Sequence, residues 1–241
     1  ESIGCLCLLY CNFLDDPISI TVAEMIGKLV TNNVQLQELK VCCCKIADVA
    51  AEHCLIAPCR KLTKLRHLEL SSSVLSDDTV ANMCACEGLL ELTSLFVRWV
   101  HPIHRHVSRM QQDNSFKRPG FMPSGGFGPK SVAALVHLVG RCQQLLHLQL
   151  VGFGPIRNGE SQQSSNFGDE GAKALAACLL VHRRLAKVVL TGCDIREAGA
   201  LALADSVRLA LSMVELDLSW NGPIGKEAAC ALKVTRQNDI S

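Results

Sequence analysis

The run most suggestive of chemistry is Gly125-Gly126-Phe127-Gly128-Pro129-Lys130-Ser131, which holds the glycines, lysine and hydroxyl of a phosphate loop. Such a loop cradles phosphates with successive backbone N–H groups while a lysine reaches over them. Pro129 separates the glycine from the lysine and removes one of those donors, and no strand pattern feeds directly into the run. The residues fit better as a turn into a helix at Ser131. Three imidazoles at His101, His104 and His106 could approach one metal, and thiolates could come from Cys5, Cys7 and Cys11 or from Cys42, Cys43 and Cys44. The paired C-x-x-C spacing of a structural zinc site is missing, so neither metal nor cofactor is expected. Nucleophilic catalysis needs a Ser or Cys, a His and an orienting carboxylate in one pocket. No G-x-S-x-G elbow is present, and the chain is expected not to be an enzyme.

A chain of 241 residues with 49% hydrophobic content and a net charge of +1 describes a folded body whose charge balance selects no partner. Aromatic residues are few, while Leu, Ala and Cys abound, which suits many small similar layers better than one large core. No apolar run reaches the roughly 18 to 20 residues of a membrane span, and Glu1 to Tyr10 lack a basic leader and cleavage pattern. The 14 cysteines lie within apolar strand and helix patterns, so reduced, buried thiols and a cytoplasmic location are expected.

The template L-x-x-L-x-L-x-x-(N/C) fits seven times. The copies are Ile3/Leu6/Leu8/Cys11, Leu36/Leu39/Val41/Cys44, Leu65/Leu68/Leu70/Ser73, Leu92/Leu95/Val97/Val100, Leu145/Leu148/Leu150/Phe153, Leu185/Val188/Leu190/Cys193 and Met213/Leu216/Leu218/Asn221. Leu36 to Leu65, Leu65 to Leu92 and Leu185 to Met213 are all steps near 28 residues. The other three steps become regular if about 4, 25 and 12 residues loop out. Each strand pattern leads to an apolar anchor and then a helical motif, clearest as Gly171-Ala172-x-Ala174-Leu175-Ala176 after Phe167. The motif recurs after Phe127, Ile195 and Ile224. Small residues let the helix sit close to the strand layer, and Leu three residues after the first Ala returns to the same inward face.

No such unit buries its apolar face alone, so neighbours must stack into one continuous core. Helices about 10 Å wide beside strands spaced about 4.8 Å apart force the stack to bend. The expected fold is therefore an α/β solenoid of about seven repeats, a horseshoe with a parallel sheet on its concave face and helices on its convex face. Leu216-Asp217-Leu218-Ser219-Trp220-Asn221 and Gly168 to Ala176 resemble the ribonuclease-inhibitor class of leucine-rich repeats. The G-A-x-A-L-A helix openings look most like the C-terminal repeats of nucleotide-binding oligomerisation-domain-like (NOD-like) receptors, cytosolic sensors of innate immunity. That resemblance implies a sensing and autoinhibitory repeat region. The same repeats also occur in Ran-type GTPase activators, tropomodulins and axonemal proteins, so a structural or regulatory adaptor is the alternative.

One domain over residues 1–241 is expected, without evident capping segments, which reads as a piece of a larger protein. Two insertions interrupt it, about 98–128 and 153–167. The first carries Arg98, Arg105, Arg109, Lys117 and Arg118 against the single acid Asp113. Phosphate neutralisation there, with Phe116 or Phe121 stacking on bases, is the lesser reading beside a solvated loop. Strand alternation places Phe96, Arg98, His67, Glu69, His147, Gln149, Lys187, Glu215 and Asp217 on the concave face. With Trp99, Arg105 and Arg109 these form the expected surface for a protein partner or ligand. Phe96, Arg98 and Trp99 are its preferred anchors, being residue types that dominate interfaces.

Overall fold

The computed structural model describes residues 4–71, 75–98, 127–152 and 167–237. Within them the strands are β1 (Cys5–Leu9), β2 (Asn12–Phe13), β3 (Glu38–Cys42), β4 (Lys45–Ile46), β5 (His67–Ser71), β6 (Ser94–Arg98), β7 (His147–Val151), β8 (Lys187–Thr191) and β9 (Glu215–Asp217). Every leucine register yields one strand of a seven-stranded parallel sheet in the order β1-β3-β5-β6-β7-β8-β9. The register never slips. Leu6, Leu39, Leu68, Leu95, Leu148, Val188 and Leu216 stand side by side, and Leu8, Val41, Leu70, Val97, Leu150 and Leu190 form a second row. A one-residue slip would turn those leucines outward, so burial fixes the alignment. A small parallel pairing of β2 with β4, which the leucine template does not announce, lies just beyond the main sheet.

The helices are α1 (Pro17–Asn32), α2 (Asp48–Ala51), α3 (Ala57–Cys59), α4 (Asp77–Cys84), α5 (Pro129–Arg141), α6 (Gly168–Val181), α7 (Glu197–Leu209) and α8 (Gly225–Gln237). Pro17 opens α1 where its missing N–H costs nothing, and Asp16 Oδ1 accepts from the Ile18 and Ser19 amides at 3.1 and 2.9 Å. Between α2 and α3 the chain widens, the Ala57 amide bonding to Glu52 O. Pro58 has no N–H for the carbonyl four residues back, which favours the looser turn. The expected inward faces form: Ala172, Leu175, Ala176 and Leu179 of α6 and Ala200 and Leu203 of α7 join the strand leucines in one core. A Cβ on Gly199 would stand 2.9 Å from the Ala172 Cβ, so glycine is what lets α7 approach α6 so closely.

The last template position, Asn or Cys, ties neighbouring turns together. Asn221 Oδ1 accepts from the Cys193 and Ile195 amides at 2.8 and 3.0 Å, while its Nδ2 donates to Leu190 O and Leu218 O. Cys44 and Cys193 do part of the same work, their thiols donating to Leu8 O at 3.4 Å and Leu150 O at 3.5 Å. His182, 3% exposed, plays a comparable part elsewhere: Nε2 lies 2.9 Å from Cys142 O, and Nδ1 accepts from the Leu185 amide at 3.0 Å.

A second set of ties joins helix starts. The residue two beyond each apolar anchor is Asp48, Asp77, Pro129, Asp169 and Glu197 in successive units from the second to the sixth. Asp48 Oδ1 accepts from the Thr79 hydroxyl at 2.7 Å and from the hydroxyl of Ser76, the residue capping α4. Asp77 accepts from the Ser131 and Lys130 amides of α5 at 2.8 and 3.1 Å, and Asp169 from the Arg196 amide before α7 at 2.7 Å. The Glu197 carboxylate lies over Gly225, at the start of α8. Pro129 has no carboxylate to offer, and α6 begins without a side-chain cap.

Three expectations change. All 14 cysteines are free thiols, but Cys5, Cys7 and Cys230 are exposed instead of buried, the first two because they lie on the open side of the edge strand β1. Arg98 completes β6 and Phe127 and Phe167 are buried, in keeping with their strand and anchor places, so the bounds 98–128 and 153–167 take in folded residues at their ends. Val189, which strand alternation places on the outward face, keeps that place between Gln149 and Asp217 but is only 8% exposed.

Candidate functional site

One face of the sheet is sealed by helices; the other carries three straight rows of side chains, because parallel strands in constant register repeat the same alternation. The middle row runs Cys7, Lys40, Glu69, Phe96, Gln149, Val189, Asp217. On one side lies Cys5, Glu38, His67, Ser94, His147, Lys187, Glu215, and on the other Cys42, Ser71, Arg98, Val151 and Thr191. The nine expected contact residues within the described chain thus share one surface. Trp99, Arg105 and Arg109, like His101, His104 and His106, lie outside the described residues.

The rows differ in what they leave available. Lys40 Nζ is 3.1 Å from Glu38 Oε2, and this contact holds the Glu38 carboxyl below its usual range and raises the Lys40 ammonium, with Cys5 adding to both. Lys187 and Glu215 pair at 2.9 Å. Both pairs are half-exposed and open to solvent screening, so each contributes little to stability. Asp217 Oδ1 accepts from the Ser219 amide and hydroxyl at 2.8 and 2.6 Å, so this carboxylate already shapes the turn after β9. Trp220, 82% exposed with a φ of 59°, stands in that same turn.

At the centre the composition changes. The Phe96 ring lies 5.0 Å from the His67 imidazole, centroid to centroid, at 49°. Burial, then the nearby Lys40 charge, pushes the His67 pKa down, against the smaller opposing pull of Glu38 and Glu69. Glu69 Oε2 is 4.0 Å from His67 Nε2. Arg98 is exposed and in register between Ser71 and Val151. The patch therefore joins a half-buried aromatic, an open guanidinium and the aliphatic Val151, which suits burial against a partner with an acidic group near its apolar contact. Sequence reading named Phe96 and Arg98 but not the packing of His67 on Phe96; their diagonal places in the register were the available signal.

Among the described residues, no group of three or more His, Cys, Asp and Glu could hold a metal ion. No helix among them is long and apolar enough to cross a membrane. The Leucine Rich repeat family matches residues 211–233, from the approach to β9 into α8. No curated protein matches the chain. A leucine-rich repeat points to a protein-binding scaffold.

Proposed function

We propose that the chain is the sensing and autoinhibitory leucine-rich repeat region of a cytoplasmic innate immune receptor of the NOD-like type. On this reading it is one domain, a horseshoe of about seven repeats, and it acts by surface complementarity on its concave face instead of by catalysis. The observation that supports it most is the central patch of Phe96, Arg98 and His67 on an unbroken registered sheet. A scaffold with fixed rows offers many weak contacts around a few anchors, the pattern of an interface. The helix openings Gly171-Ala172-x-Ala174-Leu175-Ala176 and Gly199-Ala200-x-Ala202-Leu203-Ala204 are the features that favour the receptor class.

The coding sequence upstream of Glu1 tests the class. A nucleotide-binding oligomerisation module there supports the reading, whereas an actin- or tubulin-binding segment, or stimulation of a Ran-like GTPase by the purified chain, overturns it.

A further inference from the structure

We propose that the channel between α5 and α6, on the helical side of the molecule, is a docking groove for an amphipathic helix of a protein partner with acidic residues along one flank. It is distinct from the open sheet face.

The groove has a physical origin. The acids Asp48, Asp77 and Asp169 draw each helix start onto the next, and Pro129 takes the equivalent place in α5. Without that link α5 and α6 touch over less of their length than α4 with α5 or α6 with α7. A space of about 930 Å³ remains. Phe127 and Phe167, edge to face at 6.1 Å, lie at its start. Its walls are one stripe of each helix, Val132, Val136 and Gly140 against Gly171, Ala174 and Cys178.

Size and charge select the occupant. From Pro129 to Arg141 the groove runs about 18 Å at 1.5 Å per residue, the length of a helix of about 12 residues. The volume divided by that length gives a section of about 50 Å², close to half that of a helix about 10 to 12 Å across. A helix pressed in by its apolar half fits; a single hydrocarbon chain would leave most of the space empty. The polar residues lining the groove are graded. Glu170 is paired with Lys173 at 2.7 Å, while Arg141, at the other end beside His137, forms no ion pair with any described residue. An acidic flank on the incoming helix would meet that guanidinium, and an apolar ridge at i, i+3, i+4 and i+7 would fill the trough.

The test uses the intact chain and a fluorescein-labelled 16-residue peptide with leucines at those spacings and glutamates on one flank, read by anisotropy. Saturable binding is expected, weakened at least tenfold by Ala133→Trp with Ala174→Trp, which fill the trough from exposed positions. Arg141→Glu should weaken the glutamate peptide about fivefold and strengthen a lysine-flanked version. Phe96→Ala with Arg98→Ala, on the other face, should leave the peptide affinity unchanged, so failure here is separable from failure of the recognition reading. Absence of binding, equal binding by the filled groove while its circular dichroism melt is normal, or equal binding of a proline-broken peptide would overturn the proposal. Saturable uptake of a long-chain fatty acid that the peptide does not displace would also overturn it.

Discussion

The His67 imidazole rests 5.0 Å from the Phe96 ring across adjacent strands, in a register that pairs His67 with Ser94 and Glu69 with Phe96. The contact is diagonal, within reach only because both side chains rise from the same face. It gives the open sheet surface an aromatic site amid paired charged chains.

Phe96→Ala combined with Arg98→Ala should keep the thermal melt within a few degrees of the wild type, since Arg98 is exposed and Phe96 lies on the uncovered face. Partner affinity should fall about 30-fold, the effect of losing about 2 kcal/mol of interface anchoring. Loss of the folded circular dichroism signal would instead assign these side chains to the core.

His67 should titrate below its value in the unfolded chain, because burial and Lys40 disfavour its charged form. The unfolded chain then binds more protons in the window between the depressed folded pKa and about 6.5. Stability should rise as pH increases through that window, be fully present above about 6.5, and be lost as pH falls through the folded pKa. His67→Gln should flatten that part of the profile; an NMR titration placing the His67 midpoint above that of the unfolded chain would refute the argument.

Asn221→Ala should destabilise the fold by about 1 to 3 kcal/mol, because two amides and two carbonyls lose their shared partner. Asn221→Asp should cost a comparable amount, since it keeps the acceptor but removes both donors. Urea melts measure the loss, and faster amide exchange at Cys193 and Ile195 locates it.

Asp77→Ala should lower stability by about 1 kcal/mol by uncapping α5. Asp77→Asn should recover much of that, because an amide oxygen still accepts. If both variants melt like the wild type, the carboxylate does not hold α5.

Iodoacetamide should label the exposed Cys5, Cys7 and Cys230 in the native chain. Burial pushes the Cys54, Cys142 and Cys193 thiols up to about 12, and inaccessible thiols of that kind should react only after unfolding. Mass spectrometry of native and urea-treated samples distinguishes the sets; early labelling of Cys193 would contradict its place in the core.

Strand positions were legible because one period, leucines about 28 residues apart, sets both burial and register. The rows containing Phe96 and His67 follow from that alternation, and Arg98 follows with them. What escaped notice depended on contacts between units. The carboxylate ties need Asp48, Asp77, Pro129, Asp169 and Glu197 to be compared at one template position, and leucine spacing does not draw attention to it. Val189 faces outward as alternation implies, yet its 8% exposure in the register between Gln149 and Asp217 is a property of neighbouring units that its own strand does not reveal.

Pro129 interrupts this series of carboxylate ties between α4 and α7. In a stack where each layer leans only on its neighbours, cooperativity is set by the weakest junction. The sheet still crosses from β6 to β7, but on the helical side the α5–α6 step lacks a carboxylate tie, so thermal breathing is expected to find that seam easier to open than the tied seams beside it.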